Sequence, residues 1–575
     1  MPFKYGDIVL KKILMTLVIS LVILMPFFSQ ESENQADTAQ VQNEQVVPSV
    51  SAENNKSEKQ LKKERLEQEK LEKKRQKEEK IRLQKEAKEK AREEARIKKE
   101  EERLKAEKKK KLEKAKKAKF NDVAYRSAVG SGDFENALFM LESVKKPDIA
   151  LELDRGMLLH FLGEYLMASE KMESTTTAID DAFTKSIMAS FASATLNENI
   201  SSYTGNIYEY LLVDAFNALN YYNMGDVESA LSRVNRVGDK QREYAAKYGE
   251  IALRDDSSAK DEKDVADSLS KMNARVNPDE FLPPKPTEKN LYKTSPFADY
   301  LQIVLAAQNG SYVDDFIVRE LKTVAPQVSC ESADLKGNKG RVEVLALTGS
   351  IAQRHSIPGV DSEGRPIINS IDFDPKKIAI NPNQGLYINT YIPFGGFPVF
   401  LKYDWPVFDR NSIQSNVTVS NVTLISKDGV RSEIPVLLED FDMDCENDVA
   451  VKARKAARRS ITRSTITKIT AYLSSYAIVE AAKSRSELAA ALAEVASIPA
   501  LNAIDLKEIA DVRQCVAFPS KAYCAGFTCE PGVYQVEVKY SDGRIDRIDN
   551  VVVKKGKPVL VESMGCRAVP VDEGK

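Results

Sequence analysis

At 575 residues the chain is too long for one compact domain, and its length favours two to four folded units joined by linkers. The formal net charge of -2 hides an asymmetry: residues 56–119 hold 29 Lys or Arg against 16 Glu, whereas residues 120–575 hold 52 basic and 64 acidic side chains. A basic arm is thus joined to an acidic body, and the near-neutral total describes neither.

In chain order, Lys4, Lys11 and Lys12 precede an uncharged apolar run, Ile13 to Phe28, in the layout of an export signal. Pro26-Phe27-Phe28-Ser29-Gln30 puts aromatics where a cleavage site needs small residues, so residues 1–29 read as a signal peptide or a signal anchor. No cysteine precedes Cys330, which leaves no thiol to lipidate near this start. Lysines before the run, with Glu31 and Glu33 after it, place the remainder outside the cytoplasm, periplasmic or anchored to the cytoplasmic membrane and facing outward. Residues 30–55, rich in Gln, Asn, Ser and Glu, read as a disordered linker.

Residues 56–119 contain no Gly or Pro and consist almost wholly of strong helix formers. Glu-to-Lys or Glu-to-Arg pairs at four-residue spacing recur, among them Glu69/Lys73, Glu78/Arg82 and Glu107/Lys111, and each adds about 0.2 to 0.5 kcal/mol. Leu61, Leu66 and Leu71 come five apart and no sustained heptad follows, so the segment reads as a charged single helix, with a coiled coil as the alternative. Its reach is on the order of 90 to 100 Å at 1.5 Å per residue. Its charge keeps a solvated spacer extended; the sharper alternative is contact with anionic lipid or an acidic wall polymer. Nucleic acid is disfavoured by the export signal and by the lack of aromatics to stack bases.

Between residues 120 and 326 a punctuation recurs. Gly132-Asp133-Phe134-Glu135-Asn136-Ala137, Gly163-Glu164-Tyr165-Leu166-Met167-Ala168 and Gly225-Asp226-Val227-Glu228-Ser229-Ala230 share the order Gly, acid, bulky apolar, two variable, Ala, with a weaker copy at Gly310-Ser311-Tyr312. Gly132 and Gly163 are 31 residues apart and Gly225 follows 62 later, close to the tetratricopeptide period. Gly ends one helix, the acid favours the start of the next, and Ala lets the pair pack closely. A tetratricopeptide-like (TPR-like) helical repeat domain is expected, with a concave surface for a protein or peptide partner. The bland alternative is that these helices only pack against the C-terminal region. His160 lies in an apolar stretch and reads as a packed core histidine.

After Pro278, Pro283, Pro284 and Pro286, strand patterns take over in residues 327–575: Arg341 to Leu347, Asn416 to Val419, Tyr534 to Tyr540, Val551 to Val553 and Val559 to Val561. A β-sandwich-like module with a helical insertion over 449–498 follows, and the fold class is α+β. The acids Glu439, Asp440, Asp442, Asp444, Glu446 and Asp448 are expected just before the inserted helix, compensating Arg454, Lys455, Arg458, Arg459 and Arg463 near its start. Asp440-x-Asp442-x-Asp444 resembles half a calcium loop, but Cys445 and Val451 stand where that loop needs Gly and Glu. Cys330, Cys445, Cys515, Cys524, Cys529 and Cys566, an even count in an exported chain, read as up to three disulfides with 15 possible pairings. Zinc is the weaker reading, for only Cys524 and Cys529 sit close together and the chain has two histidines.

Leu153 to Tyr165, Asp214 to Tyr221, Gly225 to Ala230, Ala510 to Arg513 and Pro531 to Tyr534 resemble a poorly characterised family of exported bacterial tetratricopeptide-repeat proteins, often described as lipoproteins. The resemblance covers residues 120–565; the missing lipidation cysteine and the long charged helix depart from the family's pattern. It implies an envelope location and a binding role, in some relatives linked with lipoproteins that act on cell-wall synthesis. No phosphate loop, His-Glu-x-x-His or Gly-x-Ser-x-Gly occurs, and neither cofactor nor metal is expected. The expected role is an envelope scaffold for protein-protein interaction. A wall-glycan hydrolase using paired carboxylates is the alternative.

Overall fold

The computed structural model describes residues 58–189, 203, 205–247, 282–292, 294–335, 337–356, 378–381, 385–391, 398–408, 417–490 and 510–565. The expected export segment and linker lie outside these residues. Contacts divide the chain into two units, Met1–Glu101 and Glu102–Lys575. The protein is mixed α and β. Among the described residues no helix is long and apolar enough to cross a membrane.

Helix α1, Glu58–Ala115, is continuous over 58 residues and ends four short of the expected Lys119. Its described side chains are exposed almost throughout, and Leu66, Leu71, Ile81, Leu83 and Ile97 are about half exposed. The four-residue pairs Glu69–Lys73 and Glu107–Lys111 form, at 3.0 Å and 3.9 Å. Both are well exposed, so each contributes only a few tenths of a kcal/mol.

Among the described residues there follow α2 (Asp122–Gly130), α3 (Phe134–Leu141), α4 (Ile149–Phe161), α5 (Tyr165–Ala189), α6 (Ile207–Asn223), α7 (Val227–Lys247), α8 (Pro296–Asn309) and α9 (Asp315–Val324). Each glycine of the recurring punctuation joins one helix to the next. Gly132, Gly163, Gly225 and Gly310 all have φ between 76° and 84°, the left-handed region that favours a residue without Cβ. The same two backbone bonds close each turn: at the first, Gly132 N–H donates to Val129 and Asp133 N–H to Ala128. The equivalents are Gly163 to His160 with Glu164 to Leu159, Gly225 to Tyr222 with Asp226 to Tyr221, and Gly310 to Ala307 with Ser311 to Ala306. These are Schellman caps. Asp133 and Asp226 then accept from the amides of Asn136 and Ser229, starting the next helix. Ala137, Ala168 and Ala230 are completely buried, where a larger side chain would hold the paired helices apart.

The strands form two four-stranded sheets. The first runs β13 (Pro558–Met564), β1 (Gly340–Thr348), β10 (Lys521–Cys529), β9 (Val436–Asp440); the second runs β12 (Ile545–Val553), β11 (Gly532–Tyr540), β7 (Val419–Ser426), β8 (Gly429–Glu433). Two smaller sheets pair β2 (Arg354–Ser356) with β6 (Pro406–Phe408), and β4 (Gly385–Tyr391) with β3 (Ile378–Asn381) and β5 (Pro398–Tyr403). Strand β1 is buried along its whole length because both faces are covered. Val342, Val344 and Ala346 meet Val422, Leu424, Val536 and Val538 of the second sheet, while Leu345 and Leu347 join the helical core with Phe216, Phe297 and Phe518. Helix α6 lies in the middle of that second core, and every residue from Ile207 to Asn220 is buried. Packing therefore runs across the expected boundary at 326/327.

The inserted helix, α10, spans Phe441–Lys483 and begins eight residues before the expected Val449. Asp440 caps it by accepting from Met443 N–H, and Asp442 and Asp444 sit in its first turn. Asp442 and Asp444 are thus part of the helix start, where its dipole favours negative charge. They are also spent separately, since Asp442 accepts from Ala352 N–H at 2.7 Å and from Ser520 Oγ, while Asp444 lies buried beside Glu439. Among the described residues no group of three or more metal-type side chains converges.

Candidate functional site

Three of the four helix-pair turns end at one place. Tyr165 follows the Gly163 turn, Asn223 and Val227 flank the Gly225 turn, and Gln308 and Asn309 precede Gly310; all five line a cleft of about 680 Å³. The remaining lining comes from Ile548 to Val552 of β12, from Lys554 and Lys557 in the β12–β13 turn, and from β13. The Gly132 turn does not reach it.

A buried polar cluster holds the base of this cleft. His160 is fully buried; its Nδ1 lies 2.8 Å from Asn220 Oδ1 and its Nε2 lies 2.9 Å from Glu562 Oε1. Asn220 spends its amide nitrogen on Met172 Sδ and Asn217 Oδ1, so its oxygen accepts and His160 Nδ1 donates. Glu562 Oε2 accepts from Asn223 Nδ2 at 2.8 Å. One further proton therefore lies between His160 Nε2 and Glu562 Oε1, and both ring nitrogens are engaged. Geometry makes His160 a rivet among α4, α6 and β13. Tyr222 completes the seam: its hydroxyl donates to Leu560 C=O and accepts from Leu560 N–H, each at 2.9 Å, which closes the outer edge of β13 there.

Other buried charges fix the frame. Glu439, at the end of β9, accepts from Ser295 Oγ at 2.6 Å and Phe297 N–H at 2.8 Å, which pins the start of α8 to the first sheet. Asp448 on α10 binds Arg354 at 2.9 Å, Lys452 at 3.0 Å and the Ile207 amide at the start of α6. Burial alone would raise the Asp448 carboxyl, but Lys452 and Arg354 outweigh it and hold it below the usual range. Together these contacts fix the N-terminal ends of α6 and α8, the helices whose far ends carry the Gly225 and Gly310 turns.

No protein-family model, curated protein or solved structure matches this chain.

The cysteines behave differently from expectation. Cys330, Cys445, Cys515, Cys524 and Cys529 carry free thiols, and no disulfide joins any two of them; Cys566 lies outside the described residues. Burial raises all five thiols, most strongly Cys515, which lies beside the Asp154 carboxyl. Sequence counting could not see that these cysteines act as small apolar side chains in a packed interior. Native alkylation with N-ethylmaleimide at pH 8, read by peptide mass spectrometry, should modify half-buried Cys330 and leave Cys445 and Cys515 unmodified until denaturant is added. Recovery of any two of the five as a linked peptide pair would restore the disulfide framework.

Sequence reasoning pointed to the turns but missed the residues that make them a site. Asn223, Gln308 and Asn309 are carboxamides one or two positions before a signature glycine, a regularity visible only once the glycines were aligned. Asn550, Lys554, Lys557 and Glu562 carried no signal, because the distance along the chain from α6 to β13 exceeds 300 residues.

Proposed function

We propose that this chain is an exported, envelope-located scaffold of TPR-like helical pairs that binds a protein segment without catalysis, and that the segment is taken up by the cleft at the helix turns. The carrying observation is the convergence of three repeated turns on one cleft, while the inner surface of the helical pairs is occupied by the chain's own sheets. A free concave face is the usual binding surface of such repeats; here β1, β10 and β13 fill that role, so the turn edge takes it over. Helix α1 supplies reach, roughly 87 Å at 1.5 Å per residue over its 58 residues.

Deleting residues 120–326 would remove most of the shared core, so the test uses surface changes. In-cell crosslinking with tagged full-length protein, compared with Lys554→Glu/Lys557→Glu, should recover specific envelope proteins from the first and at least tenfold less from the second. Equal recovery from both would move the binding surface elsewhere. The second reading, a wall-glycan hydrolase, draws on two carboxylates that line the cleft, Asp549 and Glu562. Both are already bonded, Asp549 to Gln535 Nε2 and Glu562 to His160 and Asn223, which favours binding over catalysis. Release of soluble fragments from purified peptidoglycan, lost on Asp549→Asn, would reverse that preference.

A further inference from the structure

The cleft is lined by consecutive residues of two strands, Ile548 to Val552 of β12 and Pro558 to Glu562 of β13. Side chains alternate between the faces of a strand, so unbroken lining means that the strands present their backbone edges. Both are terminal strands of their sheets. The β13 edge is closed at Leu560 by the Tyr222 hydroxyl. Strand β12 pairs only with β11, and among the described residues its outer edge has no backbone partner.

The alternation of ladder bonds fixes which groups face out. The hairpin is closed by Tyr540 N–H donating to Arg544 C=O. Ladder bonding to β12 therefore falls on Tyr540, Val538, Val536 and Tyr534 of β11, and Val533, opposite Val552, lies between. Val552 thus turns its N–H and C=O outward; its side chain is 53% exposed, with Val551 and Val553 buried on either side. Across from this edge stand carboxamides, which can both donate and accept. Gln308 Oε1 is buried with no hydrogen-bond partner, and Asn309 and Asn223 each commit only the amide nitrogen, to Ser311 and Glu562. Lys554 and Lys557 are exposed at the mouth and form no ion pair among the described residues.

We propose that the cleft binds an acidic, extended peptide segment of a partner protein as an added strand on β12, its second backbone edge satisfied by Gln308, Asn309 and Asn223. This inference rests on the scaffold reading and names its ligand. A strand is the occupant that uses the open amide and carbonyl of Val552, the orphaned oxygen of Gln308 and the unpaired lysines together. Val551 to Val553, the end of β12 beyond its bulge, pairs at about 3.4 Å per residue with a segment of about three residues. The bulge at Asp549 and Asn550, where Asn550 has φ 60°, turns the edge and limits the added strand to one end of β12.

Fluorescence anisotropy with the purified full-length chain tests this. The probes are a fluorescein-labelled heptapeptide alternating Val and Glu, a Val/Lys counterpart, a Val/Glu version methylated on alternate backbone nitrogens, and a soluble muropeptide. The Val/Glu peptide should bind at least tenfold tighter than the Val/Lys and N-methylated peptides. Val552→Pro should weaken it at least tenfold with an unchanged melting midpoint, because proline is tolerated on an edge strand, and Val552→Thr should not. Val/Glu binding that survives both N-methylation and Val552→Pro, or binding of the muropeptide alone, overturns strand addition. If Val552→Pro also leaves in-cell crosslinking intact while Lys554→Glu/Lys557→Glu abolishes it, the scaffold reading stands and only the strand mode fails.

Discussion

Gly526→Ala should reduce the stability of the folded body by about 3 to 5 kcal/mol, the cost of breaking a buried ion pair, and give largely insoluble protein. A Cβ at Gly526 on β10 would collide with the guanidinium of Arg341 and the carboxylate of Glu343, neighbours on β1. Long side chains usually step aside, but these are held from several directions. Arg341, 2% exposed, binds Glu343 at 2.6 Å, Glu331, Thr528 and Ser329. Glu343, 1% exposed, also accepts from Ser332 Oγ and Tyr300 Oη. Displacing either leaves a buried charge uncompensated between the sheet and α8. Urea denaturation followed by circular dichroism measures the effect; a midpoint within error of the parent would mean that the pair is loosely held. Gly526→Ser should be as damaging, since the obstacle is the Cβ itself.

That ion pair shows where the sequence was legible and where it stopped. Arg341 to Leu347 reads as an alternating strand, and β1 is one. Alternation alone suggests a face in water, yet the charged positions Arg341 and Glu343 lie beneath α8, paired with each other. The helix-pair turns were legible for a local reason: a left-handed cap needs glycine, so the pattern repeats wherever the geometry does. Strand β10, the centre of the first sheet, was missed because Lys521 to Cys529 mixes small, aromatic and sulfur side chains without alternation, as befits a strand covered on both faces. Asn416 to Val419 alternates as a strand does, but β7 begins at Val419, and Asn416 lies outside the described residues. The early start of α10 was obscured by its acids, which look like a loop in sequence and serve as a first turn. The cleft was illegible for a different reason, since its walls come from helix ends and strand edges hundreds of residues apart.

Melting midpoints should rise as pH is lowered from 8 to 5, on the order of 10 °C, opposite to the behaviour of a protein held by surface salt bridges. Burial pushes the Asp154 carboxyl from 3.8 to about 7; it sits fully buried beside Tyr125 and Cys515, with the Ala517 amide donating at 2.8 Å. Burial, together with nearby Glu320, also pushes Asp299 to about 7. In both cases the folded value lies above the unfolded one, so the native state binds the extra proton. The associated stability is fully present below about pH 4, declines as pH rises toward 7, and is absent above it. Three pKa units at about 1.4 kcal/mol each make roughly 4 kcal/mol per group. Asp448 works the other way, but its depressed carboxyl costs stability only as pH falls below about 4, outside this window. Asp154→Asn and Asp299→Asn keep the buried shape and remove these two titrations, so the double variant should gain less on lowering the pH from 8 to 5 than the parent does, the remainder coming from the other carboxyls that burial raises, Asp444 among them. A parent midpoint that is flat or falls toward pH 5 at constant ionic strength would show that water reaches these carboxyls, and that the helices around α4 and α8 are packed less tightly against the sheets than the structure has them.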